Sequence, residues 1–475
     1  MILLGLSAYY NAAAACIIRD GIILATAQEE RFTRIKHDPS FPQNAIKYCL
    51  NYSGIEIHEL DAVVFYNKPL LILERLLETY YAFAPKGMTS FLALMPVWIK
   101  EKIFLKSIIR RGLKKIGNFD RRKTKLLFPE HHLSHAASAF FPSPFEEAAI
   151  LTIDSMGEWA TTSIGHGNLH NLKIIKELRF PHSLGLFYSS FTYYLGFMVN
   201  SGEYKLMGLA SYGDPDSGET KQFDQIIRNH LIDMKEDGSL HLNQRYFRYA
   251  TGKKMTEDQK WEKLFGFPRR KPDTGITQHH CNLALAMQKI TEEAILGLAR
   301  ETKRLTKSDH LCIAGGVGLN YVANREIINS GLFKEVFIQP AAGDAGSSLG
   351  AALAAYYIYY RNKRKVKDNK DLMQGTYLGR ILADARYEDM QNKLNESVKC
   401  NEKFGSYAMY FSGTSFGIDQ HIKINNMEVL TDLWEFLKLR KKWWLMPTVL
   451  FLILIAALGI GISSSTIAPF VYLLF

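Results

Sequence analysis

Cysteine is scarce and scattered in this sequence. Cys16, Cys49, Cys281, Cys312 and Cys400 form no CxxC pair, which excludes a disulfide framework and a zinc ribbon. A reducing, cytoplasmic setting fits that usage. No basic leader or cleavage site precedes the first apolar strand at Ile2, so no signal peptide is expected. Basic residues outnumber acidic ones, 58 to 47, but the excess is concentrated in residues 97–125 and 438–442. Those clusters lack interleaved stacking aromatics and a recognised reading motif, so nucleic acid is not an expected partner. With 475 residues, 47% of them hydrophobic, the chain can bury a large core and is expected to hold more than one domain.

The chain is organised around Glu130–Phe140 and the apolar strand Ile150–Asp154 that follows. Pro129 suits a first helical turn, where its missing N–H costs nothing. His131 and His135 then lie one turn apart on one helix face, and Asp154 ends the strand. Two imidazoles and a carboxylate in that arrangement can grip one cation. His132 reads instead as a structural histidine.

A strand, small-residue loop and hairpin occur twice. Ile2–Ser7 runs into Ala12–Ala15, then Cys16–Ile18 turns at Asp20-Gly21 into Ile22–Ala27. The second copy is Ala148–Asp154, the loop Ser155–Glu158, the strand Ala160–Gly165 and a turn at Gly167-Asn168. The repeat implies a duplicated α/β architecture with both loops facing one cleft. The charged run Gln28–Asp38 reads as solvated loop, Lys36 and His37 excepted. Residues 97–115 form a basic amphipathic helix that suits a plain surface position better than a membrane surface. In Asn200–Gly213, Glu203 and Lys205 make either a polar cleft contact or a structural ion pair. Residues 214–280 read as a polar, irregular insertion, and a long helix follows over about 281–306. The strand Leu311–Ala314 leads into Gly315-Gly316-Val317-Gly318-Leu319-Asn320, an arrangement that lets a nucleotide approach the backbone at a helix start. Asp344, in Gln339–Gly350, either caps a helix or completes the metal site.

Residues 1–379 resemble the N-terminal domain of the O-carbamoyltransferases, through Ala27–Asp38, Glu130–Phe140, Ile150–Ser163, Pro181–Gly213, Cys312–Asn324 and Gln339–Gly350. The resemblance implies the duplicated actin-like, hexokinase-like (ASKHA) α/β fold. It also implies transfer of a carbamoyl group from carbamoyl adenylate, made from ATP and carbamoyl phosphate, to a hydroxyl of a small natural product or sugar. His131, His135, Asp154 and Asp344 match the family's iron site. Gly315, Gly316 and Asn320 match its adenosine-side loop, with Gly343 on the nucleotide side. Lys36, His37, Glu203 and Lys205 would line the catalytic cleft.

The sequence departs from the family at three places. Asn11 stands where a histidine is usual, and it cannot carry a proton. Ser155 replaces a usual glycine. After Gly379 a polar stretch, 380–426, stands where the donor-forming domain would begin, so a separate partner is expected to make the donor. Residues 427–475 resemble a small single-span membrane protein family. The apolar run Trp443–Ile462, preceded by Lys441-Lys442, predicts one transmembrane helix with the bulk of the chain on the cytoplasmic side of the inner membrane. A non-catalytic, membrane-tethered, nucleotide-binding assembly subunit is the alternative expectation.

Overall fold

The hairpin expected at Asp20-Gly21 joins β2 (Ala14–Arg19) to β3 (Ile22–Gln28), and it is one edge of a five-stranded sheet. The computed structural model describes residues 1–98, 103–366, 370–376, 378–379 and 426–440. Within the sheet, β1 (Ile2–Ser7) runs antiparallel to β2 and parallel to β4 (Ala62–Phe65), which pairs in parallel with β5 (Lys125–Leu127). Leu3, Leu4, Leu6, Val63, Val64 and Phe65 are wholly buried, which is why these central strands are continuous apolar runs without polar alternation.

The second sheet repeats the first. Its strands are β6 (Glu147–Ile153), β7 (Ala160–Asn168) and β8 (Asn171–Arg179). A separate small hairpin follows, β9 (Ile232–Met234) with β10 (Leu240–Leu242), and then β11 (His310–Ala314) and β12 (Glu335–Ile338) complete the sheet. The orders β3-β2-β1-β4-β5 and β8-β7-β6-β11-β12 correspond strand for strand, with the same two antiparallel and two parallel pairings. The duplication expected from the repeated hairpins is therefore present in the topology.

In each copy a helix follows the outermost parallel strand: His131–Phe140 after β5 and Asp344–Ala354 after β12. These equivalent helices pack on each other. A Cβ on Gly350 would lie 1.8 Å from the carbonyl oxygen of Ser134, so only glycine permits this approach. The region 214–280 is more ordered than its polar composition implies. It carries helices Gly218–Ile226 and Asp258–Phe265, and the fully buried Trp261 packs on Phe191, Tyr194 and Phe265.

Helices Pro69–Phe83 and Met88–Trp98, most of Leu105–Ile116, and Asn426–Arg440 belong to a second compact unit. Its core is Leu73, Leu76, Leu77, Tyr80, Met95, Ile103, Leu433 and Leu437. Ile109 and Leu113 bury the apolar face of Leu105–Ile116, in keeping with a surface helix.

Two expectations are corrected here. Among the described residues no helix is long and apolar enough to cross a membrane, which overturns the transmembrane anchor and the inner-membrane placement drawn from it. The apolar helix Met88–Trp98, at 11 residues, reaches only about 16 Å against the roughly 30 Å of a bilayer core. The long helix Gln278–Thr306 carries too many charged residues. The run 443–462 lies outside the described residues, as does nearly all of 380–426.

Candidate metal and nucleotide site

Helix His131–Phe140 starts with Glu130 extended at its N-cap, one residue beyond Pro129, and so carries His131 on its first turn and His135 one turn later. Both imidazoles are buried, and their Nε2 atoms lie 3.0 Å apart. Asp154, immediately after β6, brings Oδ2 to 2.8 Å from His131 Nε2 and 3.3 Å from His135 Nε2. Asp344 Oδ1 lies 3.7 and 3.6 Å from the same two nitrogens. One ligand atom from each residue falls within a 4.8 Å span. Donors bonded to one cation at 2.0–2.2 Å are at most about 4 Å apart, so this set fits a divalent ion after a small contraction.

The surroundings fix the ring orientation. His135 Nδ1 meets Ser347 Oγ at 3.0 Å, leaving Nε2 toward the cluster. Burial disfavours the His135 imidazolium, but hydrogen bonds and charge from Asp154 and Asp344 outweigh it and raise its pKa to about 9. Burial likewise opposes the Asp154 carboxylate, and the hydrogen bonds from His131 and His135 hold it well below the usual range. A bound cation would replace the shared proton. His132, on the same helix, is held through its Nδ1, which sits between the hydroxyls of Thr152, at 3.0 Å, and Ser163, at 3.1 Å.

Glu158 was not singled out by the sequence reading. Its buried carboxylate accepts the N–H of His131 at 3.0 and 3.1 Å and that of Lys68 at 2.8 Å. A carboxylate there satisfies an orphan donor at the start of the ligand-bearing helix and complements its dipole. The only signal in the sequence was an acid closing the loop after the second strand-and-loop unit.

The glycine turn expected to face a nucleotide lies against this cluster. Gly315 has φ +90°, and a Cβ there would fall 2.2 Å from the carbonyl oxygen of Ile153. The Gly316 N–H donates to Asp154 Oδ1 at 3.3 Å, tying the turn to a cluster carboxylate. Asn320 has a different task from a free side-chain contact. Its Oδ1 accepts from the Ala323 N–H at 3.1 Å, capping helix Tyr321–Asn329, and its amide exchanges two 3.2 Å hydrogen bonds with the buried Gln288. Gly343 is the N-cap of helix Asp344–Ala354, with open space where a Cβ would stand. Asp344 is therefore the first helical residue rather than the cap, and its carboxylate joins the cluster.

Lys36 Nζ lies 3.4 Å from the carbonyl oxygen of Ser201 and 4.7 Å from the centre of the Tyr204 ring. His37, in the left-handed region at φ +54°, is pinned by its N–H to Glu30 at 2.8 Å. Burial lowers its pKa, Glu30 opposes that, Lys36 adds to it, and the charge of Asp344 reaches it. Glu203 and Lys205 form no ion pair. Glu203 accepts from Ser189 Oγ at 2.8 Å and the Asn200 N–H at 2.9 Å, while Lys205 is exposed. Asn200 Nδ2 donates to Asn11 Oδ1 at 3.1 Å, so the segments carrying Lys36, Asn11, Asn200 and Glu203 are joined by direct contacts.

Fold and site together define a duplicated α/β protein with a buried His/Asp cluster beside a glycine turn. The chain belongs to the carbamoyltransferase N-terminus family, which matches residues 2–353. Residues 427–475 match a family of unknown function. Among curated proteins, the chain is similar to an uncharacterized protein of Synechocystis, 52% identical over 381 residues, 79% of this chain and 60% of that protein. It is also similar to the nodulation protein NolNO of Sinorhizobium fredii, 32% identical over 343 residues, 72% of this chain and 45% of that one. The chain thus spans about half the length of these relatives. A solved structure with some likeness is component A of the Acidaminococcus fermentans (R)-2-hydroxyglutaryl-CoA dehydratase, at 14% identity and TM-score 0.37, covering 75% of this chain and 98% of that one.

Proposed function

We propose that the chain transfers a carbamoyl group from carbamoyl adenylate to a hydroxyl of a small natural product or sugar, with a divalent metal, iron by family resemblance, in the His/Asp cluster. The observation that carries this reading is the cluster itself, with Asp154 joined both to the two histidines and to the Gly316 N–H. A cation held there supplies positive charge against nucleotide phosphate oxygens. The Gly315-Gly316 turn packs against Ile153 and is tied to Asp154 through the Gly316 N–H, so a nucleotide held at the cluster would lie beside this turn. Lys36, pinned beside Tyr204 and Ser201, offers a cation to the same donor. His37, pinned through its N–H by Glu30, is the imidazole proposed to accept a proton from the hydroxyl acceptor. Glu203 holds the Asn200 turn, and Lys205 stands exposed for the acceptor or donor. The donor is proposed to come from a separate donor-forming domain.

The test combines purified chain, metal, carbamoyl adenylate and a panel of hydroxyl acceptors, read by mass spectrometry for a gain of one carbamoyl group. Product that disappears in Asp154→Asn supports the reading, and absence of product with every donor supply and acceptor overturns it. A second reading, a non-catalytic nucleotide-binding assembly subunit, is favoured by Asn11, whose amide is occupied by Asn200 and cannot move a proton. Asn11→His separates the two. A gain in transfer supports the enzyme, and unchanged nucleotide binding with no transfer supports the subunit.

A further inference from the structure

Helix Asn426–Arg440 contains the start of the match to the family of unknown function, yet its apolar stripe is buried among helices from residues 69–112. Leu433 and Leu437, four residues apart and only 6% and 2% exposed, enter a groove lined by Leu73, Leu77, Tyr80 and Ile103, and Phe436 packs at its side. Two ion pairs fix the register. Arg440 Nη2 reaches the fully buried carboxylate of Glu74 at 3.2 Å, and Lys106 Nζ reaches Asp432 Oδ2 at 2.6 Å. The outer face keeps Trp434 and Leu439 exposed, at 54% and 82%. The groove lies within the match to one family, residues 2–353, and its occupant opens the match to another, residues 427–475. The groove and its occupant are thus separable in sequence but complementary in shape and charge.

We propose that the opening helix of the second matched family is a docking element, and that the groove formed by helix Pro69–Phe83 with Ile103 and the start of helix Leu105–Ile116 is its receptor. The occupant is an amphipathic helix with a Leu-x-x-x-Leu seam, an acid one residue before the seam and an arginine three residues after it. The seat holds this helix without help from the peptide bond. A separate chain presenting the same helix would occupy the same groove, and the inference is independent of the transfer chemistry.

The test uses the full chain with a protease recognition sequence, flanked by glycine-serine spacers, inserted after Cys400. After complete cleavage, an affinity tag at Met1 is pulled down and the C-terminal fragment quantified. Most of the fragment is expected to remain bound. Leu433→Asp with Leu437→Asp is expected to weaken retention about a hundred-fold, since two charges would be forced into an apolar groove. Lys106→Asp, which sets like charges against each other, is expected to weaken it about ten-fold, and Lys106→Asp with Asp432→Lys to restore it. Loss of the unmodified fragment on cleavage overturns the proposal. So does retention that the paired leucine changes leave intact, or a reversed pair no better than Lys106→Asp alone.

Discussion

At the residue scale, the cluster holds a proton that a bound cation would displace. The His135 pKa rises from 6.5 to about 9 on folding, so in metal-free protein its stabilising contribution is complete below pH 6.5 and is lost as pH rises through 9. Asp154 acts oppositely, its contribution being present above the ordinary carboxylate range and lost as pH falls through its depressed value. Thermal melts of metal-free protein between pH 6.5 and 9 should show Tm falling across that window. Saturating divalent metal should flatten or reverse the fall, because metal competes with the His135 proton. A pH-independent Tm in both states would count against a buried, shared proton. His135→Ala is expected to lower metal affinity at least about a hundred-fold, read by isothermal titration. Glu158→Gln keeps the shape but weakens acceptance of the His131 and Lys68 N–H groups, and is expected to reduce metal affinity about ten-fold.

At the element scale, the candidate metal cluster depends on two helices that touch through glycine. Gly350→Ala sets a methyl group against the Ser134 carbonyl and is expected to cost about 3 kcal/mol of stability, measured by denaturant unfolding, despite the better helix propensity of alanine. A change of less than about 1 kcal/mol would mean that the helices separate easily. Element identities were legible where pattern and chemistry agreed. The Asp20-Gly21 hairpin, the His131/His135 helix face and the strand ending at Asp154 all follow from local sequence. Asn320 was less legible, because cap and nucleotide contact call for the same residue at a helix start, and only Gln288, distant in sequence, commits its amide. The 214–280 region misled because its aromatics are spread thinly among polar residues and form a core only when Trp261 meets Phe191 and Tyr194. The Glu203–Lys205 pairing failed because residues two apart on a helix point in different directions.

At the scale of the whole molecule, two compact units carry separate apolar cores. Calorimetry of the full chain is expected to show two transitions, of which metal raises only the one belonging to the unit with His131 and Asp344. A single transition with matching calorimetric and van't Hoff enthalpies would contradict that independence. The duplicated sheet order was readable from the repeated hairpin grammar, whereas the groove around Leu433 and Leu437 was not, since its walls and occupant lie more than three hundred residues apart.

His131 and Asp344 are each the first residue of their helix, and those helices are the matching elements of the two repeats. Two of the four cluster positions therefore occupy equivalent places in the two repeats. In a progenitor of a single repeat, pairing of two identical chains through this helix would have brought that position face to face with its twin. An ion held there would have been shared between two subunits, and histidine in one copy with aspartate in the other makes the equivalent contact a directional one.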